Sequence, residues 1–353
     1  MPKPVTQVAT TDISEMMNPG HERRMDLPGF AAEFVDFPHY IIRITELIWH
    51  DRQVERIRDW YAEDCVIHTL AGDVVGAQTV VDNTWATLRA FPDRRLDGDN
   101  VIWADEGAGA FYSSHLITSK MTNKGPSEFG PATGKKVRIQ TIADCLCANN
   151  QVVEEWLVRD NLGLVQQLGF DADEIARTQA NLDRANGFSL TDFHKTNWHR
   201  TDSFDSPEVD PSLAAVIAIA TMMAIWQEQD WTQVHRLYDY RADATYPGAA
   251  ALYGPDQIEQ WFAPVHAAIS DKRVAIEHIA EIPYLGEARD VAIRWSVAGT
   301  HSGDGRYGAA TGASVYILGV SQFRIMNGRI REEVTIWDDI ALRRQIETAR
   351  CSK

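Results

Sequence analysis

Apolar positions recur at helical spacing from Pro38 to Trp49 (PHYIIRITELIW) and again in the shorter stretch QVERIRDWYA. Alternation then takes over in CVIHTL, with VVG as its turn-bounded continuation. AQTVVDNTWATLRAF is amphipathic and stops at Pro92. Four strand-like runs follow: RRLDGDNVIWA, GAFYSSHLITSKM, KKVRIQTIADCLCA and QVVEEWLVRDN, the last two joined at Asn149-Asn150.

The second half repeats the order. LAAVIAIATMMAIWQEQ and WTQVHRLYDY predict helices, ATY a strand, LYG a turn and PDQIEQWFAPVHAAI a helix. RVAIEHIAEI, DVAIRWSVAGTHS, ASVYILGVSQFRIM and RIREEVTIWDD predict strands, with a tight turn at Asn327-Gly328. EEWLVRDNLGLVQQLG, from Glu154, and EEVTIWDDIALRRQIE, from Glu332, share a paired Glu, a later Asp and a Gln at a constant offset of 178 residues. An internal duplication accounts for this. The expected organisation is an N-terminal arm over 1–34, a first domain over 35–170, a linker with one helix over 171–210 and a second domain over 211–350. The linker is polar and long for a loop, so it is expected to pack across both domains, with Phe193 and Trp198 as anchors.

Helices followed by a bent antiparallel sheet, with a long helix in its concave side, make a cone with an apolar interior. The expected fold class is therefore α+β, with two tandem cone-shaped barrels. The order of elements, and the phrases YAEDCVIH, GPDQIEQWF, GTHSG, AATG, NGRIREEVTIWDD and VQQLG, resemble the SnoaL-like polyketide cyclases of the nuclear transport factor 2-like superfamily. That resemblance implies an intramolecular aldol closure by proton abstraction alpha to a carbonyl, with no metal or organic cofactor. It also puts a catalytic Asp where this chain has Leu157 in one copy and Thr335 in the other. The assisting Gln and His fall near Thr141 and Ala143, and near Gly319 and Ser321. The base of ketosteroid isomerase, which shares the fold, falls near Thr69 or Pro247. Asp160 and Asp338 match a strand-terminal Asp that caps the next helix.

With those sets absent, other polar residues become the catalytic candidates. His68 and His115 lie on strands, and an imidazole is a suitable base near neutral pH. Parity puts Ser113 and His115 on one face, and Tyr112 and Ser114 on the other. Asp144 or Glu155 is the candidate orienter, and one of Glu154 and Glu155 points inward. The bland alternatives are a backbone-bonded His and a surface carboxylate. Ligand-binding candidates in the first cone are Trp49, Trp85, Tyr112 and Trp156. In the second they are Tyr246, Arg294, Trp295, His301, Glu333 and Trp337. Flat apolar ligands suit aromatic walls, but core packing is the commoner use of such residues.

The net charge of −16 argues against nucleic acid and anionic membrane as partners, which need clustered cations. The N-terminus has no apolar signal core, no run is long enough to span a membrane, and four Cys without a C-x-x-C pair read as buried thiols. A cytoplasmic location is expected. No H-x-x-x-H or G-x-S-x-G is present, and no metal site is expected. The expected partner is a small apolar ligand or substrate, with an intrachain pseudo-dimer and a further homodimer left open. The leading reading is a cofactor-independent enzyme acting by cyclisation, isomerisation or hydration on a small carbonyl or ester compound. The rival is a non-catalytic binding protein, and a third possibility keeps one cone as scaffold.

Overall fold

A computed structural model of the chain describes residues 20, 22, 24–197 and 210–350. Trp198, Cys351 and most of the N-terminal arm lie outside the described residues.

The first copy opens with α1 (Phe37–Trp49), started by Asp36, whose side chain accepts from the His39 N–H at 2.8 Å. A 3-10 turn (Val54–Arg56) leads into α2 (Ile57–Trp60). Strands β1 (Tyr61–Thr69) and β2 (Gly72–Val75) precede α3 (Ala77–Ala90). Long strands β3 (Arg95–Gly107), β4 (Ala110–Thr122) and β5 (Lys136–Ala148) follow, then β6 (Gln151–Arg159) and α4 (Asn161–Leu168). Between the copies lie α5 (Ala172–Ala185) and α6 (Leu190–Asn197), so the segment carries a second helix beyond the predicted one.

The second copy begins with α7 (Leu213–Met222), which runs into a π-helical turn (Met223–Glu228) that ends at Gln229 with φ 54°. Then come α8 (Trp231–Leu237), β7 (Tyr238–Tyr246), β8 (Ala250–Tyr253) and α9 (Gly254–Ala268). The copy closes with β9 (Ile269–Pro283), β10 (Arg289–His301), β11 (Ser314–Met326), β12 (Arg329–Trp337) and α10 (Asp339–Arg350).

Both sheets have six strands in the same order, β2-β1-β6-β5-β4-β3 and β8-β7-β12-β11-β10-β9. The hairpins after β5 and β11 turn at Asn149-Asn150 (φ 50° and 66°) and Asn327-Gly328 (φ 51° and 71°). Two successive positive φ values match the right-handed twist of the flanking strands.

Three further expectations change. The sheets are mixed, because β1 pairs parallel with β6, and β7 with β12. Each first strand is reached from a helix and not from a hairpin, so nothing forces it antiparallel. LYG is not a turn: Leu252 and Tyr253 belong to β8, paired with β7. Finally, Tyr61 and Ala62 begin β1 instead of ending a helix, and Tyr61 enters the cone.

The concave face of each sheet wraps its own helices. The two convex faces press on each other. Tyr112 stacks on His278 with ring centroids 3.6 Å apart, and Arg294 lies 3.5 Å over the Trp156 ring. The Gln322 amide donates to the Ser114 carbonyl and hydroxyl at 3.0 and 3.1 Å. Ile102, Tyr112, Ala280, Ile282 and Ala292 make an apolar cluster between the sheets. None of the described helices is long and apolar enough to cross a membrane.

Asp160 ties the copies together at another point. Its carboxylate accepts from the Gly163 N–H at 2.9 Å, capping α4, and from the Gly248 and Ala249 N–H groups at 2.7 and 2.8 Å. Asp338 does the mirrored job, accepting from Ala341 N–H at 3.1 Å and from the Asn161 amide at 2.6 Å. Asp160→Ala leaves the α4 N-terminus and the half-buried Gly248-Ala249 turn without their acceptor and is expected to cost roughly 1–2 kcal/mol in urea unfolding. A loss below about 0.5 kcal/mol would mean that water replaces the carboxylate.

Candidate active site in the first cone

Strand period two decides what enters the cone. On β6, Glu155, Leu157 and Arg159 face inward, and Glu154 faces outward. On β4, His115 faces inward, opposite Ala143 of β5. The cavity has a volume of about 780 Å³ and is lined by these residues together with Tyr61, Arg94 and Trp49.

Glu155 is buried, and its Oε2 accepts from the Tyr61 hydroxyl at 3.0 Å. Burial pushes its pKa up to about 7, against the opposing pull of the Tyr61 hydrogen bond and the Arg159 charge. His115 is buried as well, and burial pushes its pKa down to about 4. It is therefore a neutral imidazole at pH 7, and its buried Nε2 has no hydrogen-bond partner among the described residues. His115 and Glu155 stand two strands apart, on the order of 10 Å, so a ring-sized compound can touch both.

Two cations share the cavity. Arg94 is buried, lies 4.6 Å over the Trp49 ring and donates to the Ser119 hydroxyl at 3.2 Å. Burial, and then the Arg159 charge, lower its pKa to about 9. Arg159 is half-buried.

The other candidates fall elsewhere. His68 is on the outer face, with Nδ1 at 3.1 Å from Asp73 and Nε2 at 2.8 Å from Glu154. Burial lowers its pKa, but the two carboxylates outweigh burial and the net shift is upward. Asp144 is also outside the cone, where it accepts from the Tyr112 hydroxyl in the contact between the sheets. Its pKa is raised, chiefly by burial. The expected grouping of His115 with His68 and Asp144 is thus not formed, because strand parity sends the last two to the opposite face. Tyr112, Trp156 and Arg294 lie in that same contact. Trp85 is partly exposed, and its indole donates to Glu55 at 2.9 Å. Of the first-cone ligand candidates, Trp49 is the one that lines the cavity.

The second cone holds the rest and is filled by them. Trp226, Trp295 and Trp337 pack with ring centroids 5.2–6.0 Å apart. A hydrogen-bond chain crosses the same interior. The Trp295 indole donates to Ser321 at 2.9 Å, Ser321 and Thr335 are 2.7 Å apart, and Thr335 donates to Glu333 at 2.6 Å. Tyr238 and Tyr246 complete Glu333 at 2.6 and 2.8 Å. Glu333 is the duplicate of Glu155, and Tyr238 of Tyr61. In the first copy, however, Ala143, Leu157 and Ile117 replace Ser321, Thr335 and Trp295, which removes the chain and leaves space. Thr141 likewise stands where the second copy has Gly319, whose added Cβ would lie 2.3 Å from the Trp295 ring. His301 is buried at the far end of β10, with Nδ1 at 3.0 Å from the Thr311 hydroxyl.

Sequence reasoning missed Tyr61, Arg94 and Arg159. Arg159 was within reach, because it shares the parity of Glu155 and Leu157. Tyr61 needed the correct start of β1, and Arg94 precedes β3 and has no strand parity to read.

A search of curated proteins found no match. Among solved structures, IdmH of Streptomyces antibioticus, named as a candidate polyketide cyclase, is 20% identical with a TM-score of 0.32, over 37% of this chain and 96% of its own. A SnoaL-like polyketide cyclase of Agrobacterium tumefaciens is 14% identical with a TM-score of 0.32, over 37% and 96%. A protein of Catenulispora acidiphila with a ketosteroid isomerase-like fold, solved with trimethylamine, is 16% identical with a TM-score of 0.30, over 38% and 91%. The family model for SnoaL-like polyketide cyclase matches residues 39–168 and again 216–346. The chain belongs to the SnoaL-like polyketide cyclase family, as two tandem copies.

Proposed function

We propose that the first cone is the active site of a cofactor-independent enzyme that performs acid/base chemistry on a small, mostly apolar carbonyl or ester compound. The reaction class is cyclisation, isomerisation or hydration. The observation that carries this reading is a carboxyl with a pKa of about 7 and a neutral imidazole, its Nε2 without a partner among the described residues, lining one cavity. Glu155, as carboxylate, takes a proton from the carbon alpha to the carbonyl. The C–H electron pair moves toward the carbonyl oxygen, giving an enolate. His115, in its Nε2–H tautomer, donates to that oxygen, and the surrounding apolar wall strengthens the bond. Glu155 then returns the proton at another atom, or the enolate carbon attacks a second carbonyl, closing a ring, and Glu155 gives its proton to the alkoxide that forms.

The test is alpha-proton exchange in D2O, followed by 1H NMR on a panel of aryl ketones and arylacetic esters. His115→Ala is expected to slow exchange by about 10²–10³-fold with an unchanged near-UV circular dichroism spectrum. Wild-type exchange in that variant would sink the role of His115. A second reading, a binding protein, has its own support, since Leu157 stands where the family resemblance puts the base. It predicts ligand retention with no exchange of any panel compound above background.

A further inference from the structure

Arg94 and Arg159 are not used by the chemistry above. A guanidinium is costly to bury without an anion, and yet among the described residues neither forms an ion pair. The Nε atoms of both are buried and have no hydrogen-bond partner among the described residues. Trp49 and the Ser119 hydroxyl hold the Arg94 guanidinium in place without neutralising it. Three acids also line the cavity, and each is otherwise engaged or remote: Asp73 is bonded to His68, Glu128 is exposed, and Glu155 is bonded to Tyr61. Arg159 lies four residues beyond Glu155 on β6, about 13 Å along the strand at 3.3 Å per residue.

We propose that the first cavity takes an amphipathic carboxylic acid, its carboxylate held between Arg94 and Arg159 and its apolar body lying along Leu157 toward Glu155 and His115. This rests on the active-site reading only for where the chemistry occurs. Planar guanidinium groups match a carboxylate in paired hydrogen bonds, and the apolar lining between the two ends leaves room for a ring system. The fixed separation makes the carboxylate a handle that positions a reacting carbon over Glu155.

The test is isothermal titration with 2-naphthoate and methyl 2-naphthoate as probes. The acid is expected to bind at least tenfold more tightly than the ester. Arg94→Met and Arg159→Met should each weaken the acid at least tenfold and leave the ester unchanged. Arg159 is half-buried, so its variant keeps the test open if Arg94→Met fails to fold. Absent binding of the acid, equal affinity for acid and ester, or unchanged affinity in both variants would overturn the proposal. Inorganic phosphate that displaces naphthoate at equal concentration, with the same arginine dependence, would assign the site to phosphate and overturn the carboxylate. Titration needs no turnover, so arginine-dependent binding in a protein without exchange activity would sink the enzyme reading alone.

Discussion

Glu155→Gln is expected to lower turnover in the first cone by about 10²–10⁴-fold, the contribution typical of a positioned general base. Gln keeps the shape and still accepts from the Tyr61 hydroxyl, so ligand affinity should change little. In the wild type, the rate should rise with pH and level off above about 7, as Glu155 ionises. The variant should lose that step. Stability runs the other way. The folded-state pKa of Glu155 lies above its ordinary 4.5, so the folded protein holds this proton more tightly than the unfolded chain. The favourable linkage is fully present below 4.5 and is lost as pH rises through about 7. Above that, ionised Glu155 costs roughly 3 kcal/mol. Glu155→Gln should therefore melt above the wild type at pH 8, and the gap should close near pH 4. A variant that keeps the wild-type rate and pH profile would remove Glu155 from the chemistry.

Glu155 also illustrates how far the sequence could be read. Alternation in QVVEEWLVRD required one of Glu154 and Glu155 to point inward but did not say which. The parallel pairing of β1 with β6 settles it, by placing His68 beside Glu154 on the outside, bonded to it at 2.8 Å. The antiparallel expectation could not contain that pairing. The duplication was legible because helix order, turns and the Glu–Asp–Gln spacing repeat at one offset. The parity of Tyr112 and His115 was legible too, since β4 runs through those positions without a bulge against β5. Which cone is open was not legible. It depends on how side chains from three strands interdigitate, as with Trp295 lying over Gly319, and tandem sequence similarity is silent on that. Unpaired arginines are equally invisible in a sequence, because the signal is the absence of a carboxylate in space.

Trp295→Ala is expected to destabilise the protein by about 3–5 kcal/mol, the range for removing a large aromatic from a core. Trp295 is fully buried and contacts Trp226 and Trp337, and its indole begins the chain that ends on Glu333. The substitution opens a void and leaves Ser321 without its donor. Gly319 has no side chain with which to fill the space, so relaxation is limited and the cost should fall near the top of the range. The first cone should keep its ligand affinity at temperatures where the variant is folded, because its own walls come from residues 41–164 and from Phe188 and Phe193 of the linker. Chemical denaturation gives the energy, and 2-naphthoate titration below the transition gives the affinity. Together they separate two uses of one fold. If the loss is large and first-cone binding is intact, the second copy serves as a packed brace for the first. If binding falls in step with stability, the contact between the convex faces transmits strain to β4 and β5, and the filled cone also governs the shape of the open one.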